Sequence, residues 1–188
     1  MEFNELIAFR RAVYPSQFEK GDIEEDTILQ LLKNANMAPT HKMTQPWFFK
    51  IYKNQSKVRL ASAMVQAMKK QKPGDLRTGF KEKSILDKCQ MSSCVFGIFM
   101  KRSTAISIPE WEEIAAVAMA VQNIWLSCTD QQIGCYWSSP KYVENMNSFF
   151  NLDSNERCLG FMYLGKFDHS TLPIKERESI ESKLEWLD

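Results

Sequence analysis

The sequence predicts an α+β fold built from mixed layers of helices and strands. Some segments repeat apolar residues at helical spacing, whereas others are short, nearly continuous apolar or aromatic runs that favour buried strands. The two kinds of segment alternate only loosely, which favours a mixed arrangement over a regular β-α-β succession. The strand-like runs lie at residues 47–52, 94–100, 133–137 and 158–165.

Length and composition are typical of one globular domain over residues 1–188, with 44% hydrophobic and 25% charged residues. The net charge is only +1, from 24 basic and 23 acidic side chains, so no overall field attracts nucleic acid or an anionic membrane. The chain lacks both the run of about 20 apolar residues that spans a membrane and a signal-peptide pattern. We therefore expect a cytoplasmic protein with no nucleic-acid or membrane partner.

Cysteine usage does not indicate a disulfide framework or a metal site. The five cysteines are odd in number and lack C-x-x-C spacing, and only two histidines could add ligands. Free cysteine is among the most buried residue types, and thiols stay reduced in the cytosol. We expect buried thiols at Cys89, Cys94, Cys128, Cys135 and Cys158.

A short helix is predicted over residues 2–11, because Phe3, Leu6 and Ile7 fall on one helical face. It should end at the pair Arg10-Arg11. Cations at the carboxyl end of a helix interact favourably with the macrodipole. Forked guanidinium groups are also well suited to bind phosphate, and the residues leave both interpretations open.

Asp22 and Glu25 resemble a capping box that begins a second helix, which should end before Pro39. Residues 38–47 then join this helix to the first aromatic strand. Two prolines and several small polar side chains make this loop stiff and polar. Such a loop at the start of a buried strand favours ligand binding, although a plain connecting turn has the same composition.

A third helix is predicted around residues 60–68, followed by a charge-rich stretch from Lys69 to Lys88. This stretch contains Pro73, Gly74 and Gly79 and has little apolar periodicity. We interpret it as either a flexible excursion or a lid, and the sequence does not decide between these two.

The longest helical pattern runs from Glu110 to about Thr129. Its apolar residues cover more than one stripe, so the helix needs partners on several sides. It is predicted to be the central helix of the domain, part of a subunit interface, or both. The strand before it, at residues 94–100, is apolar enough to be buried on both faces.

The strand at 133–137 leads into Ser138, Ser139 and Pro140. Two hydroxyl groups and their backbone amides at a strand end can form the edge of a polar pocket. The alternative interpretation is a cap for a helix over residues 141–150.

Several common functional motifs are absent from the sequence. It has no G-x-G-x-x-G or G-x-x-x-x-G-K-[ST] motif, which argues against a Rossmann dinucleotide site and a nucleotide triphosphatase. G-x-S-x-G and H-E-x-x-H are also missing, which disfavours hydrolysis by a nucleophile triad or by a zinc-bound water.

Taken together, these stretches resemble the FMN-dependent nitroreductase family over nearly the whole chain. The resemblance lies in the order and spacing of five segments: 9–13, 38–47 with its A-P-x-H-K-x-x-Q-P-W pattern, 108–112, 134–139 and 160–165. It implies a nitroreductase-like fold with a central, mainly antiparallel sheet flanked by helices. It also implies an intertwined homodimer with FMN sites at the interface.

The resemblance implies residues at the FMN site, beginning with the R-R-S segment of the family. This segment corresponds to Arg10, Arg11 and Ala12, and Ala12 lacks the hydroxyl group of the usual serine. A basic residue near the carboxyl end is expected to bind the phosphate, which indicates Arg177 and, as a second candidate, Lys175.

Two further groups follow from the resemblance. His41 and Gln45, in the proline-bounded loop, are expected to reach the flavin that is bound mainly by the other subunit. Trp137, Ser138 and Ser139 correspond to the W-[RS]-S strand end of the family.

The activity implied is electron transfer from NADH or NADPH through FMN to a small organic acceptor, nitroaromatic or quinone-like, in two alternating half-reactions. This chemistry strictly requires no acid-base side chain, so no residue is assigned a catalytic role and no metal is expected. His41 either donates a proton or positions the flavin. Two alternatives stay open: a flavin-binding module without turnover, and an enzyme of the same fold with a different flavin reaction.

Overall fold

An antiparallel sheet of five strands forms the centre of the structure, a computed structural model that describes residues 2–71, 73–171 and 176–187. β3 lies between β2 and β5, and β5 also pairs with β1 and β4. This confirms the expected antiparallel sheet. The strands are β1 (Phe18–Glu19), β2 (Trp47–Tyr52), β3 (Cys94–Lys101), β4 (Gly134–Ser138) and β5 (Glu156–Phe167).

Helices cover both faces of the sheet. The helices are α1 (Phe3–Phe9), α2 (Glu25–Ala35), α3 (Asn54–Gln71), α4 (Thr78–Met91), α5 (Glu110–Asp130) and α6 (Asn147–Phe150). α2 and α5 share one core cluster with the sheet, and α3 and α4 share the other. Short 3-10 turns lie at Pro15–Gln17, His41–Met43, Lys141–Met146, His169–Thr171 and Ile180–Lys183.

The side chains of β3 alternate between the two cores. Phe96 and Ile98 pack in the core beside α2 and α5, whereas Val95 and Phe99 pack in the core beside α3 and α4. Successive side chains of a strand point to opposite faces, so a strand between two helical layers must be apolar along its whole length. The prediction of a strand buried on both faces is therefore confirmed.

α5 has the extent that its apolar pattern predicted. Val117, Val121 and Ile124 are buried against the sheet, whereas Trp111 and Met119 on other sides are 68% and 38% exposed. The first turn is held by the buried Glu113, whose carboxylate accepts hydrogen bonds from Arg102 Nε at 2.6 Å and from the Ser103 backbone N–H at 2.9 Å.

The charge-rich stretch 69–88 is mostly helical, so it is not the flexible excursion that was one of the two expectations. α4 buries only a narrow stripe, Ile85 and Cys89, so its apolar periodicity is weak. Ion pairs link the other parts of this stretch. Lys69 of α3 pairs with Glu82 of α4 at 2.7 Å, and the Asp75 carboxylate, just before α4, pairs with the Lys81 ammonium group. Ion pairs and a short apolar contact hold the segment in place.

Two predicted caps are wrong. α2 begins at Glu25 after Glu24 and has no side-chain cap, so Asp22 does not form the expected capping box. Acidic residues in its first turn complement the helix dipole instead. The turn that begins at Lys141 follows Pro140 and also lacks a side-chain cap, so Ser138 and Ser139 do not serve as its cap.

All five cysteines are buried and free, as expected. Across residues 2–71, 73–171 and 176–187, no helix combines the length and the apolar character that a membrane crossing requires.

Candidate functional site

The segment that follows α1 is anchored to β4 and α5. The Val13 backbone N–H donates to the Cys135 carbonyl oxygen at 3.0 Å, and the Trp125 indole N–H donates to the Arg11 carbonyl oxygen at 3.1 Å. The Tyr14 and Tyr136 rings lie 4.7 Å apart. These contacts fix Arg10, Arg11 and Ala12 beside the central helix.

Arg10 does not serve as a simple helix-end cation. Its guanidinium group lies over the Trp125 ring, with Cζ 5.0 Å from the centroid, so it points toward α5. Partial burial lowers the pKa of Arg10, and the nearby Arg177 and Arg11 guanidinium groups lower it further. Arg11 does bind the end of α1, because its Nε donates to the Phe9 carbonyl oxygen at 2.9 Å.

Arg177, although it comes from the far end of the sequence, lies near enough to Arg10 for the two positive charges to interact. Within the described parts of the chain, neither Arg10 nor Arg177 forms an ion pair with a carboxylate. Repulsion among neighbouring guanidinium groups is relieved by a bound anion, and guanidinium geometry suits phosphate. Lys175, the other candidate, lies outside the described residues.

The end of β4 places the predicted strand-end residues. Ser138 pairs with Phe161 of β5, and the Trp137 indole N–H donates to the Leu159 carbonyl oxygen at 3.4 Å. Gly160, with φ of 130°, permits this approach, because a Cβ atom there would lie 2.4 Å from the Ser138 carbonyl oxygen. Ser139 follows the strand and is exposed.

The arginine segment lies beside β4, because the next residue, Val13, donates its backbone N–H to the Cys135 carbonyl oxygen at 3.0 Å. Arg10 lies near Cys135, three residues before Ser138 on the same strand. Three strand residues span roughly 10 Å. The structure therefore places the segment Arg10 to Ala12 next to the strand that carries Trp137 and Ser138 and leads into Ser139. Arg177 lies near Arg10.

A cleft of about 340 Å³ opens beside Ser138, between α4 and the turn that begins at Lys141. We call it the α4 cleft; its lining includes Phe80, Lys81, Ser84, Lys88, Ser138, Lys141, Tyr142 and Tyr163. A second cleft of about 480 Å³ shares Phe80, Ser84 and Lys88 with it and extends to Tyr14. Burial raises the pKa of Tyr142 and Tyr163, so both phenols stay neutral.

The sequence analysis missed the lysines of this cleft. Lys81, Ser84 and Lys88 recur at helical spacing and share one face of α4. That spacing is typical of any solvated helix face, so it does not distinguish these residues from ordinary surface. Lys141 had no signal of its own, because only the tertiary structure places it across from α4.

The proline-bounded loop has a strained backbone. Lys42, Met43 and Gln45 have φ values of 48°, 55° and 45°, in the left-handed region that non-glycine residues rarely adopt. The loop is tied internally, because the Gln45 backbone N–H donates to Thr40 Oγ1 at 3.1 Å. His41 Nδ1 is paired with the Glu112 carboxylate at the start of α5. Strain of this kind concentrates at functional sites.

Within one subunit, this loop and the arginine group lie at different ends of α5. His41 contacts Glu112, whereas Arg10 contacts Trp125. At 1.5 Å per residue, these two positions of the helix are roughly 20 Å apart along its axis. The structure therefore does not bring His41 and Gln45 to the other predicted site residues of the same chain.

Comparison with known proteins agrees with the fold and the order of these segments. Residues 7–166 match the model of the nitroreductase family. The chain is 25% identical over 183 residues to "Putative NAD(P)H nitroreductase YfhC" of Bacillus subtilis (strain 168), covering 95% of this chain and 91% of that protein.

Solved structures give the same result. A nitroreductase-like family protein from Bacillus cereus superposes with a TM-score of 0.87 at 25% identity, covering 100% of this chain and 97% of that one. The FMN-dependent nitroreductase NfnB from Mycobacterium smegmatis, solved in complex with NADPH, superposes with a TM-score of 0.78 at 18% identity, covering 98% and 97% of the two chains. The anchored arginine segment, the strained loop and the glycine-supported strand end thus belong to a chain that is a member of the nitroreductase family.

Proposed function

We propose that this protein is an FMN-dependent oxidoreductase that oxidises NADH or NADPH and reduces a small organic acceptor, nitroaromatic or quinone-like, in a ping-pong sequence. The observation that carries the proposal is the anchoring of the arginine segment to β4 and α5, with the Arg10 guanidinium group over the Trp125 ring. Arg177 lies nearby. Family membership and the FMN- and NADPH-dependent relatives support it.

The residues present fit FMN at both ends of the molecule. The three guanidinium groups suit the phosphate, and Ala12 can contribute only backbone groups there. The Ser138–Ser139 strand end, roughly one short strand away, offers hydroxyl and backbone groups to the flat ring. The neighbouring clefts combine apolar and aromatic side chains with a few polar and charged ones, a mixture that is common in ligand sites.

The bound FMN would accept a hydride from the nicotinamide and pass electrons to the acceptor. The chain's own groups would bind and orient both reactants. Negative charge on the reduced ring would be stabilised by fixed cations and backbone N–H groups at the strand end, because such preorganised groups need no rearrangement during reaction. No side chain is assigned the transfer of a proton.

The proposed enzyme is a homodimer, and the apolar residues that this chain leaves exposed support that assembly. The exposed groups include Phe3 of α1, Met119 of α5, and the tail residues Ile180, Trp186 and Leu187. A two-fold axis across α5 would cover these residues and carry the strained loop of one subunit to the strand end of the other. His41 and Gln45 would then complete the partner's flavin site, which resolves their separation from Arg10.

The test is the absorption spectrum of the purified protein, before and after anaerobic addition of NADH or NADPH. We expect a flavin spectrum that is bleached by reduced nicotinamide and restored by a nitroaromatic or a quinone. A colourless protein that does not take up FMN overturns the proposal. A flavin spectrum that nicotinamide does not bleach would favour a flavin-binding module, or an enzyme of the same fold that uses another reductant.

A further inference from the structure

We propose that the α4 cleft binds the electron acceptor and selects planar aromatic compounds that carry an anionic group, such as a carboxylate. The inference rests on the proposed function and adds the class of acceptor. The aromatic side chains that line the cleft suit a flat ring, and its lysines suit an anionic group on that ring.

The floor of the cleft suits a flat ring. Ile85, Tyr142 and Tyr163 line it, and Tyr163 is only 1% exposed. Phe80 stands at the mouth and is 79% exposed, so it is available to cover a bound ring. Aromatic rings favour offset-stacked and edge-to-face contacts with one another. Shape and lining therefore favour an aromatic ligand over a flexible aliphatic one.

The charge of the cleft is one-sided. Among the described residues that line it, Lys81, Lys88 and Lys141 are basic and none carries a carboxylate. Lys81 is already neutralised by Asp75, whereas Lys88 and Lys141 form no ion pair with any described residue. Asp87 lines the adjoining cleft rather than this one, so two ammonium groups without an ion pair face the α4 cleft and favour an anionic ligand there.

The two ammonium groups come from different walls. Lys88 belongs to α4 and lies 5.6 Å from the Tyr136 ring centroid, whereas Lys141 begins the turn that follows Ser138 and Ser139. An acceptor whose anionic group contacts Lys141 therefore has its ring beside Ser138, where the flavin edge is proposed. This geometry places the reducible group next to the electron donor.

The reaction for a nitro acceptor balances with the proposed reductant. Two electrons convert the nitro group to a nitroso group and water, while one NADPH becomes NADP⁺ and one proton is taken up. The anionic group takes no part in this step, so it acts only in recognition. Its effect should therefore appear in kcat/KM for the acceptor.

The test compares 4-nitrobenzoate with 4-nitrobenzamide, which have nearly the same shape and differ in charge. With the FMN-loaded enzyme at saturating NADPH, kcat/KM for the acceptor reports the reoxidation half-reaction. We expect Lys141→Gln to lower kcat/KM for the carboxylate by about tenfold or more, and for the amide by less than about twofold. For each enzyme, kcat/KM for 4-nitrobenzoate is divided by kcat/KM for 4-nitrobenzamide. Comparing this ratio between wild type and variant cancels the difference in intrinsic reducibility of the two compounds.

Two matched variants separate charge from fold. Lys141→Arg keeps the cation and is expected to retain the wild-type ratio between the two acceptors. Lys33→Gln removes an exposed lysine from α2, on the other face of the sheet, and is expected to leave both values unchanged. Raising the salt concentration should shrink the preference of the wild-type enzyme for the carboxylate, because exposed charges are screened.

Each remaining outcome is decisive. If the enzyme turns over but Lys141→Gln leaves the ratio between the acceptors unchanged, the inference is overturned while the proposed function stands. If Lys141→Gln loses FMN, the lysine belongs to the flavin site and the inference is also overturned. A wild-type protein that binds no flavin overturns the proposed function itself.

Discussion

The Arg10 guanidinium group lies over the Trp125 indole, with Cζ 5.0 Å from the ring centroid. The same indole donates its N–H to the Arg11 carbonyl oxygen at 3.1 Å. One side chain of α5 therefore holds both the backbone and the leading charge of the arginine segment. This contact orients the Arg10 guanidinium group toward α5.

Replacing Arg10 with alanine is expected to weaken FMN binding by roughly 1.5–3 kcal/mol, the cost of losing a charge-assisted hydrogen bond. Fluorescence titration of the flavin-free protein with FMN measures this change. Arg59→Ala, which removes an exposed cation from α3, is the control and should leave the affinity nearly unchanged. Equal affinities for the two variants would show that Arg10 does not contact the cofactor.

Replacing Met119 with glutamate is expected to yield a folded monomer that retains little flavin. Met119 is 38% exposed on α5, so a charge there should disturb an interface rather than the core. Val121, by contrast, is 1% exposed, and a charge at that position would test folding only. Light scattering after size-exclusion chromatography gives the mass, and absorbance gives the flavin content.

The control for Met119→Glu is Val58→Glu, because Val58 is 55% exposed on α3, whose core lies on the other face of the sheet. We expect this variant to stay dimeric and flavin-bound. A monomeric Met119→Glu protein that binds FMN as tightly as the wild type would contradict a site shared between subunits.

Replacing Glu113 with glutamine is expected to cost roughly 1.5–3 kcal/mol in the free energy of unfolding, because it removes the buried carboxylate that accepts hydrogen bonds from Arg102 and from the Ser103 backbone N–H. The Glu113 side chain is 1% exposed, whereas that of Glu110 is 42% exposed and pairs with Arg157 at 2.7 Å. Glu110→Gln should therefore cost less than about 1 kcal/mol. Urea unfolding followed by circular dichroism measures both, and equal losses would refute the distinction.

Stability is expected to fall with rising pH above about 9. Burial raises the pKa of Cys89, Cys94 and Cys158 from the ordinary value of 9.0 to about 12. Between these values the unfolded chain loses thiol protons that the folded chain keeps, so unfolding becomes easier as pH rises. Below pH 9 both states are protonated, and these thiols contribute no pH dependence.

Urea midpoints at pH 8 and pH 10 measure this alkaline loss, and a Cys89→Ala variant should show a smaller difference between the two. A thiol reagent at pH 8 should label none of the five buried cysteines in the native protein and all five in urea. Fast labelling of the native protein would show that these thiols are accessible.

The elements that sequence reasoning placed well are those whose pattern leaves one physical solution. β3 is apolar throughout because helices cover both of its faces, and α5 is apolar on several sides for a related reason. α4 was not predicted as a helix, because it buries only Ile85 and Cys89 and presents charged groups elsewhere. Its weak periodicity reflects a narrow contact with the core.

The residues of the candidate site also fall into two groups, those that the sequence indicates and those that it does not. Arg10, the proline-bounded loop and the Ser138–Ser139 strand end could be singled out from local chemistry, because prolines, paired cations and hydroxyl groups act over a few neighbouring positions. The lysines of the α4 cleft could not, since a polar helix face and a single lysine after a proline look like ordinary surface.

By itself, then, the sequence determined where the main helices and strands form, apart from α4, and which short segments carry unusual polar groups, because periodicity and turn chemistry are local. Only the tertiary structure decided that Arg177 lies near Arg10, that Lys141 and Lys88 line one cleft, and that His41 lies far from Arg10 along α5. Those neighbours are set by strand pairing and helix packing between distant segments, which no local pattern encodes.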